Sequence, residues 1–350
     1  MGQVTMVGSG RPSRTSVYER LDKALAELNQ RYGGLPSPEE AQAIWEDIWH
    51  QEAHHSTALE GNTLVLRQVQ ALLDQGRAIG AKPLSEYNEV RGYADAAQWV
   101  YGQALEPGDW HDGRLLTIAE VRQVHHMAMT PVWDVAPLPD ATDREGPGSF
   151  REHDIRPFSG GMTPPSWPLV PAQVQHWVES ACIAGDKIHS GADLGRPLVE
   201  ELARLHNEFE RLHPFIDGNG RAGRLLLNLI LVRLGYPPVV VFKRQRNNYL
   251  AAMQRADRDD FGALGELIAR AMYDNLNRFI VPNVAGPARL VPLAALVDEQ
   301  FTLPALRQAA QRGRLDAVQG ADGVWRSSRK AVDAYRVARH QRRRNTAPSE

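Results

Sequence analysis

Apolar residues in this chain recur at spacings of three and four, the mark of helices with one buried face. They do so through most of the first 280 residues. Leu21, Leu25 and Leu28 predict a helix over 17–32, stopped by Gly33-Gly34. Pro36-Ser-Pro-Glu-Glu40 reads as the start of a second helix carrying Ile44 and Ile48, and extending toward Leu59. A third begins near Asn62-Thr-Leu64 and runs through Leu72. Further helices are predicted over 86–103, 117–129, 174–184, 196–213, 223–234, 246–256 and 261–279. Hardly any part of this region alternates with the two-residue period of a strand. The short run 239–242, after two prolines, reads as a buried extended link.

One segment breaks the helical pattern. Residues 131–171 hold nine prolines and four glycines. A loop that long inside a compact protein is usually functional or disordered; here an ordered loop is predicted, with a short hairpin near Phe150 and Ile155. From Val291 the pattern changes again. Leu293-Ala-Ala-Leu296 begins a short helix, and a second runs from Thr302 through Arg312. Strands at 315–318 and 324–326 then pair around a turn at 320–323, ahead of a last helix over 329–339. The predicted organisation is a disordered start at 1–16, an N-terminal helical region at 17–115, a helical core at 116–283, a small module at 290–340 and a basic, disordered end at 341–350.

With 43% apolar and 23% charged residues, the chain has an ordinary globular composition. Its single cysteine excludes an internal disulfide framework and fits a reducing, cytoplasmic setting. No apolar leader is evident, and the apolar run 225–232 is too short to span a bilayer. The charge is uneven. From Arg289 onward there are twelve Lys/Arg against six Asp/Glu, so an overall charge of −2 leaves the rest at −8. Any nucleic-acid contact therefore belongs to the tail, where the alternative is a solvated basic end.

The densest chemistry lies at His213-Pro-Phe-Ile-Asp-Gly-Asn-Gly-Arg-Ala-Gly-Arg224. A helix leads into His213, a possible proton acceptor near neutral pH. A second helix follows, apolar nearly all round. Between them, Gly218, Asn219 and Gly220 can bring backbone N–H groups and a helix N-terminus to an anion. Asp217 suits a magnesium ion bridging phosphates, while Arg221 and Arg224 share a helical turn and suit phosphate oxygens. Gly218, Gly220 and Gly223 also match a dinucleotide fingerprint, but that pattern needs a preceding strand and a later acidic residue. A helix precedes it, and 238–242 is Pro-Val-Val-Val-Phe. The dinucleotide reading fails on context.

This stretch resembles the signature His-x-Phe-x-Asp/Glu-Gly-Asn-Gly-Arg-x-x-Arg of Fic-domain proteins, without a departure. The resemblance implies an all-α Fic-fold helical bundle with a long flap, and transfer of AMP from ATP to a hydroxyl side chain of a target protein. His213 would be the catalytic base and Asp217 the Mg2+ ligand. Gly218, Asn219, Gly220 and Arg221 would cradle phosphates, Arg224 would bind the γ-phosphate end, and Phe215 would be a core anchor. Tyr249 resembles a position lining the adenine pocket. The proline-rich loop, with Ile155, Gly160-Gly161 and Pro164-Pro165, resembles the flap that aligns the target segment.

Ser56-Thr-Ala-Leu-Glu60-Gly61-Asn62 resembles the inhibitory motif of the same family, which places this chain in the subgroup with an N-terminal inhibitory helix. Glu60 would pair with Arg224 and take the arginine needed by the γ-phosphate. Ser56 and Gly61 complete that motif. The other reading of this stretch is a helix end capped by Gly61 with Glu60 solvated. The module at 290–340 resembles, more loosely, a winged helix of the excisionase type, in which Arg307, Arg312, Arg314 and Arg326 would meet DNA phosphates.

The histidine pairs His54-His55 and His125-His126 lack metal-ligand spacing, His206 reads as a packing or supporting residue, and there is no phosphate-binding loop of the Walker kind. Two rivals to AMP transfer stay open: AMP removal with Glu60 positioning water, and a DNA-binding regulator whose core senses nucleotide. A homodimer is compatible with either. No membrane contact is expected.

Overall fold

The computed structural model describes residues 12–38, 42–104, 107–108, 110, 113–157, 162–284, 290–320 and 323–345, without the side chains of 42–43 and 340–345. Eleven α-helices precede residue 285 among these residues: α1 (Arg14–Tyr32), α2 (Gln42–Leu59), α3 (Leu66–Gln75), α4 (Leu84–Tyr101), α5 (Ile118–Trp133), α6 (Val170–Ser190), α7 (Leu198–Leu212), α8 (Asn219–Arg233), α9 (Arg246–Ala256), α10 (Gly262–Asn275) and α11 (Val281–Val284). No strand occurs among the described residues before Val291. The protein is all-α apart from its C-terminal end.

The bundle is organised around α8, in which every residue but Gly220 is buried. Helices α2, α4, α5 and α7 pack around it. The buried amide in the middle of this helix, Asn228, has its polar atoms taken up: Oδ1 accepts from the Val239 N–H at 2.7 Å, while Nδ2 donates to the Val239 carbonyl at 2.9 Å and to Glu52 at 2.8 Å. Asn228 thereby holds the extended run 239–242, all of it buried as expected. Tyr93 and Tyr101 of α4 also donate to Glu52, so one buried carboxylate ties α2 to α4 and α8. Helices α4 and α5 approach closely at Gly92, where a Cβ would lie 2.4 Å from the Ala128 carbonyl oxygen.

Several predicted boundaries move. Helix α1 starts at Arg14 rather than 17, because the Ser13 hydroxyl caps it by accepting from the Ser16 N–H. The third helix starts later, at Leu66, because Asn62 is used to bond Leu64 and the Glu86 carbonyl. Helix α5 runs on through Pro131 to Trp133, and Asn88 donates to the Pro131 carbonyl. Helix α10 passes into a π turn, Leu276–Ile280, before α11. The expected hairpin near Phe150 and Ile155 does not form among the described residues. Side chains serve that backbone instead: the Glu145 carboxylate accepts from the N–H groups of Thr142 and Glu152, and the Arg151 guanidinium donates to the carbonyls of His153, Pro165 and His213. Residues 1–11, Glu39-Glu40 of the expected second helix start and Gly160-Gly161 of the expected flap lie outside the described residues.

The C-terminal part follows the predicted order. A short strand β1 (Val291–Pro292), a 3-10 turn (Leu293–Leu296) and α12 (Leu303–Gln311) precede β2 (Ala317–Gln319), β3 (Trp325–Ser327) and α13 (Arg329–Asn345). The sheet order is β1-β3-β2, all antiparallel, with Val291 and Ala317 both opposite Ser327. Helix α13 extends to Asn345, beyond the expected end at 339 and into the part expected to be disordered.

Candidate active site

The loop 213–218 joins α7 to α8 at the centre of the bundle. His213 ends α7 in the left-handed region, φ 45°, and turns its ring back so that Nδ1 lies 2.8 Å from the Glu210 carbonyl. A carbonyl only accepts, so Nδ1 carries the proton and Nε2 keeps its lone pair. Burial lowers the affinity of His213 for a proton, against the opposing effects of its hydrogen bond to the Glu210 carbonyl and of the nearby Glu60 charge. The balance of these effects favours the neutral ring of His213. Its backbone is clamped as well, since Arg151 donates Nε–H to the His213 carbonyl at 2.9 Å.

Phe215 is fully buried, stacked on the His125 ring with centroids 3.7 Å apart, as expected of an anchor. His125 accepts from the Gly148 N–H at Nδ1, so its Nε2–H donates to the Asp217 carbonyl at 2.9 Å. Burial drives its pKa down to about 3, and it is neutral in the fold. The Asn219 side chain does not face outward. Its Oδ1 accepts from the Phe215 N–H and its Nδ2 donates to the Phe215 carbonyl, at 2.9 and 2.8 Å. It braces the loop, and only its backbone N–H is left to a ligand. Gly218, the residue before α8, sits at φ 76°, and a Cβ there would meet Met129 Sδ at 2.5 Å.

Asp217 is 44% exposed and pairs with Arg221 Nη2 at 3.0 Å. Arg221 is buried, and Nη1 pairs with Glu89 at 2.7 Å. Its Nε is buried with no hydrogen-bond partner among the described residues, leaving one donor uncommitted at the helix start. Arg224 is buried and held by α2 and the turn after it. Nε donates to Ser56 Oγ at 2.7 Å, and Nη2 donates to the Ser56 carbonyl at 3.1 Å and to Glu60 Oε1 at 2.6 Å. Partial burial would raise the Glu60 pKa, but the Arg224 charge and hydrogen bond outweigh it and hold Glu60 ionised. The same carboxylate oxygen stands 2.4 Å from where a Cβ on Gly220 would be. An anion therefore already lies against the first turn of α8, where unpaired N–H groups favour one. Gly61, at φ 112°, turns the chain away after Glu60.

Tyr249, the residue expected at the adenine pocket, is buried, with its hydroxyl 2.7 Å from His206 Nε2. Three carboxylates near the site lie outside both sequence motifs. Glu89 reaches Arg221 from α4. Glu52 and Glu210 are buried, and burial raises each to a pKa of about 7. Glu210 Oε1 lies 2.3 Å from a Cβ position on Gly223, so a side chain there would displace that carboxylate.

Residues 115–231 match the model of the Fic/DOC family. Curated relatives named protein adenylyltransferase Fic include one from Drosophila grimshawi, 25% identical over 90% of this chain and 61% of its own length. Another, from Drosophila erecta, is 28% identical over 78% of this chain and 51% of its own. The chain thus spans only about half to three-fifths of those relatives. Among solved structures, Fic-1 from C. elegans (residues 134–508) matches with a TM-score of 0.57 at 25% identity, covering 76% of this chain and 70% of its own. A Fic-domain signalling protein from Bacteroides thetaiotaomicron has the same TM-score at 24% identity, over 75% of this chain and 97% of its own, and bears on the fold.

Proposed function

We propose that this chain, whose residues 115–231 match the Fic/DOC family model, is a protein adenylyltransferase whose own Glu60 keeps it silent. The observation that carries the proposal is the Glu60–Arg224 contact at 2.6 Å beside a His213 whose Nδ1–H is held by the Glu210 carbonyl. ATP would lie along the start of α8. The N–H groups of Gly218, Asn219 and Gly220, with Arg221 and its uncommitted Nε, would hold the phosphates. His213 Nε2 takes the proton of a Ser, Thr or Tyr hydroxyl on the target. The hydroxyl oxygen then bonds to the α-phosphorus, the bond from that phosphorus to the bridging oxygen breaks, and pyrophosphate leaves with the electron pair.

No cluster of three or more metal-ligating side chains occurs among the described residues. A single half-exposed carboxylate, Asp217, nevertheless fits Mg2+, which is commonly held by one carboxylate plus substrate phosphates and water. Bound there, it would neutralise phosphate charge. Asp217 would exchange its contact with Arg221 for that role.

Residues 17–115 supply the inhibitory region, 116–283 the catalytic core with its flap, and 290–340 a winged-helix-like module. Arg307, Arg312 and Arg314 are exposed on that module and remain its candidates for DNA. Arg326 is a poor one, since Glu27 of α1 holds it with two contacts at 2.9–3.0 Å. The reading is tested with ATP labelled at the α-phosphate. Glu60→Gly transfers label to protein, and Glu60→Gly/His213→Ala does not; equal labelling by both removes His213 from the reaction.

A further inference from the structure

A cavity of about 660 Å3 opens where α1, α10, the π turn, the 242–244 segment and the C-terminal module meet. Four arginines from four of these elements line it: Arg20, Arg244, Arg270 and Arg278. Arg270 is committed to Glu266 at 2.8 Å. The other three lie over the rings of Tyr273, Phe242 and Phe279 and make no ion pair among the described residues. Of the carboxylates on the same wall, Asp298 is held by Arg336 at 2.5 Å, which leaves Asp274 and Glu299. An adjoining hollow shares Phe242, Arg244 and Arg278 and adds Lys243, His54 and His55, with no carboxylate in its lining. Burial first, and then the surrounding His54, Arg244, Arg278 and Lys243, push His55 down to about 4. The π turn carries Asn277 and Arg278 to this wall, and such turns recur at functional sites.

We propose that this junction cavity binds a small phosphate-bearing anion, and that the ligand acts on α2 through the 242–246 segment. The contacts for that route are in place. The Phe242 ring meets the His55 ring edge-on at 4.7 Å, the Lys243 N–H reaches His55 Nδ1 at 3.5 Å, and Arg246 donates to the Leu59 carbonyl at 2.9 Å, one residue before Glu60. The concave volume suits a small molecule, and the carboxylates of Asp274 and Glu299 disfavour a long polyanion such as duplex DNA. The binding site does not depend on the nucleotidyl-transfer reading.

The test uses the full chain and inorganic tripolyphosphate in titration calorimetry. Wild type binds; Arg244→Ala/Arg278→Ala binds at least tenfold more weakly at an unchanged melting temperature, and Arg244→Lys/Arg278→Lys retains binding. Arg221→Gln, altered in the α8 cradle, binds as wild type does. Absence of binding at millimolar concentration overturns the proposal, as does weakening by Arg221→Gln in place of the arginine pair. A short DNA duplex that competes as tightly as tripolyphosphate overturns the choice of a small ligand. Tripolyphosphate should also alter amide exchange over residues 51–60 in wild type and not in Arg244→Ala/Arg278→Ala. Unaltered exchange in wild type would separate the cavity from α2.

Discussion

Glu60 Oε1 lies 2.6 Å from Arg224 Nη2 and against the face of Gly220, so one carboxylate occupies both an arginine and the start of the helix behind it. Ser56, one turn earlier on α2, accepts from Nε of the same guanidinium through its hydroxyl. The two contacts predict graded relief. Ser56→Ala removes a hydrogen bond to a charged group, worth about 1.5–3 kcal/mol, and leaves the Glu60 pair in place. Protein labelling from α-labelled ATP should rise above wild type and stay below Glu60→Gly. Labelling equal to wild type would place Ser56 outside the latch.

Asn219→Ala should damage the loop more than the nucleotide cradle. It leaves the buried N–H and carbonyl of Phe215 without their partners, at a cost of about 1–3 kcal/mol for each group. The expected outcome is a melting temperature lower by several degrees, together with loss of turnover in the Glu60→Gly background. A full-rate, unshifted Asn219→Ala would show that the side chain serves no bracing role.

The state of His213 sets a pH profile. Burial holds its pKa below the ordinary histidine value, and the base works when neutral, so acid must go further to silence it. Labelling by Glu60→Gly should stay level as pH falls from about 8 to about 6.5, the ordinary histidine pKa, and decline only below that. A decline centred above 6.5 would contradict the burial argument.

Glu52 gives a stability profile of the opposite kind. Its folded-state pKa is raised to about 7 by burial, so between its unfolded value and 7 the folded chain binds more proton than the unfolded one. Its contribution is complete below the unfolded pKa and is lost as pH rises through about 7. Each pKa unit is worth about 1.4 kcal/mol, so Glu52→Gln should flatten the stability–pH curve by roughly 3 kcal/mol across that window. Urea unfolding at a series of pH values reads this directly. Parallel curves for wild type and Glu52→Gln would contradict it.

Helices were legible where one apolar face repeats, as at Leu21, Leu25 and Leu28, and the buried α8 showed itself by being apolar nearly all round. Boundaries set by single side chains were not: Ser13 at the start of α1 and Asn62 before α3 act through hydrogen bonds that periodicity does not encode. The hairpin near Phe150 failed because Glu145 and Arg151 satisfy that backbone with side chains. At the site, His213 through Arg224 were legible because twelve consecutive positions carry the chemistry. Glu89, Glu210 and Glu52 were not, since each meets its partners only through the packing of separate helices. Two local hints existed: Asn228 inside an apolar helix, and Glu52 at four-residue steps between Ile48 and Ser56.

The central claim is that an intact site is held off by Glu60 through Arg224. Its most direct measurement is the initial rate of label transfer from α-labelled ATP to protein, compared between wild type and Glu60→Gly at equal concentration. Breaking a charge-assisted pair of this kind should raise the rate by at least tenfold, with the increase abolished by Arg224→Ala. A Glu60→Gly protein that is folded, binds ATP and labels no faster than wild type would contradict the account.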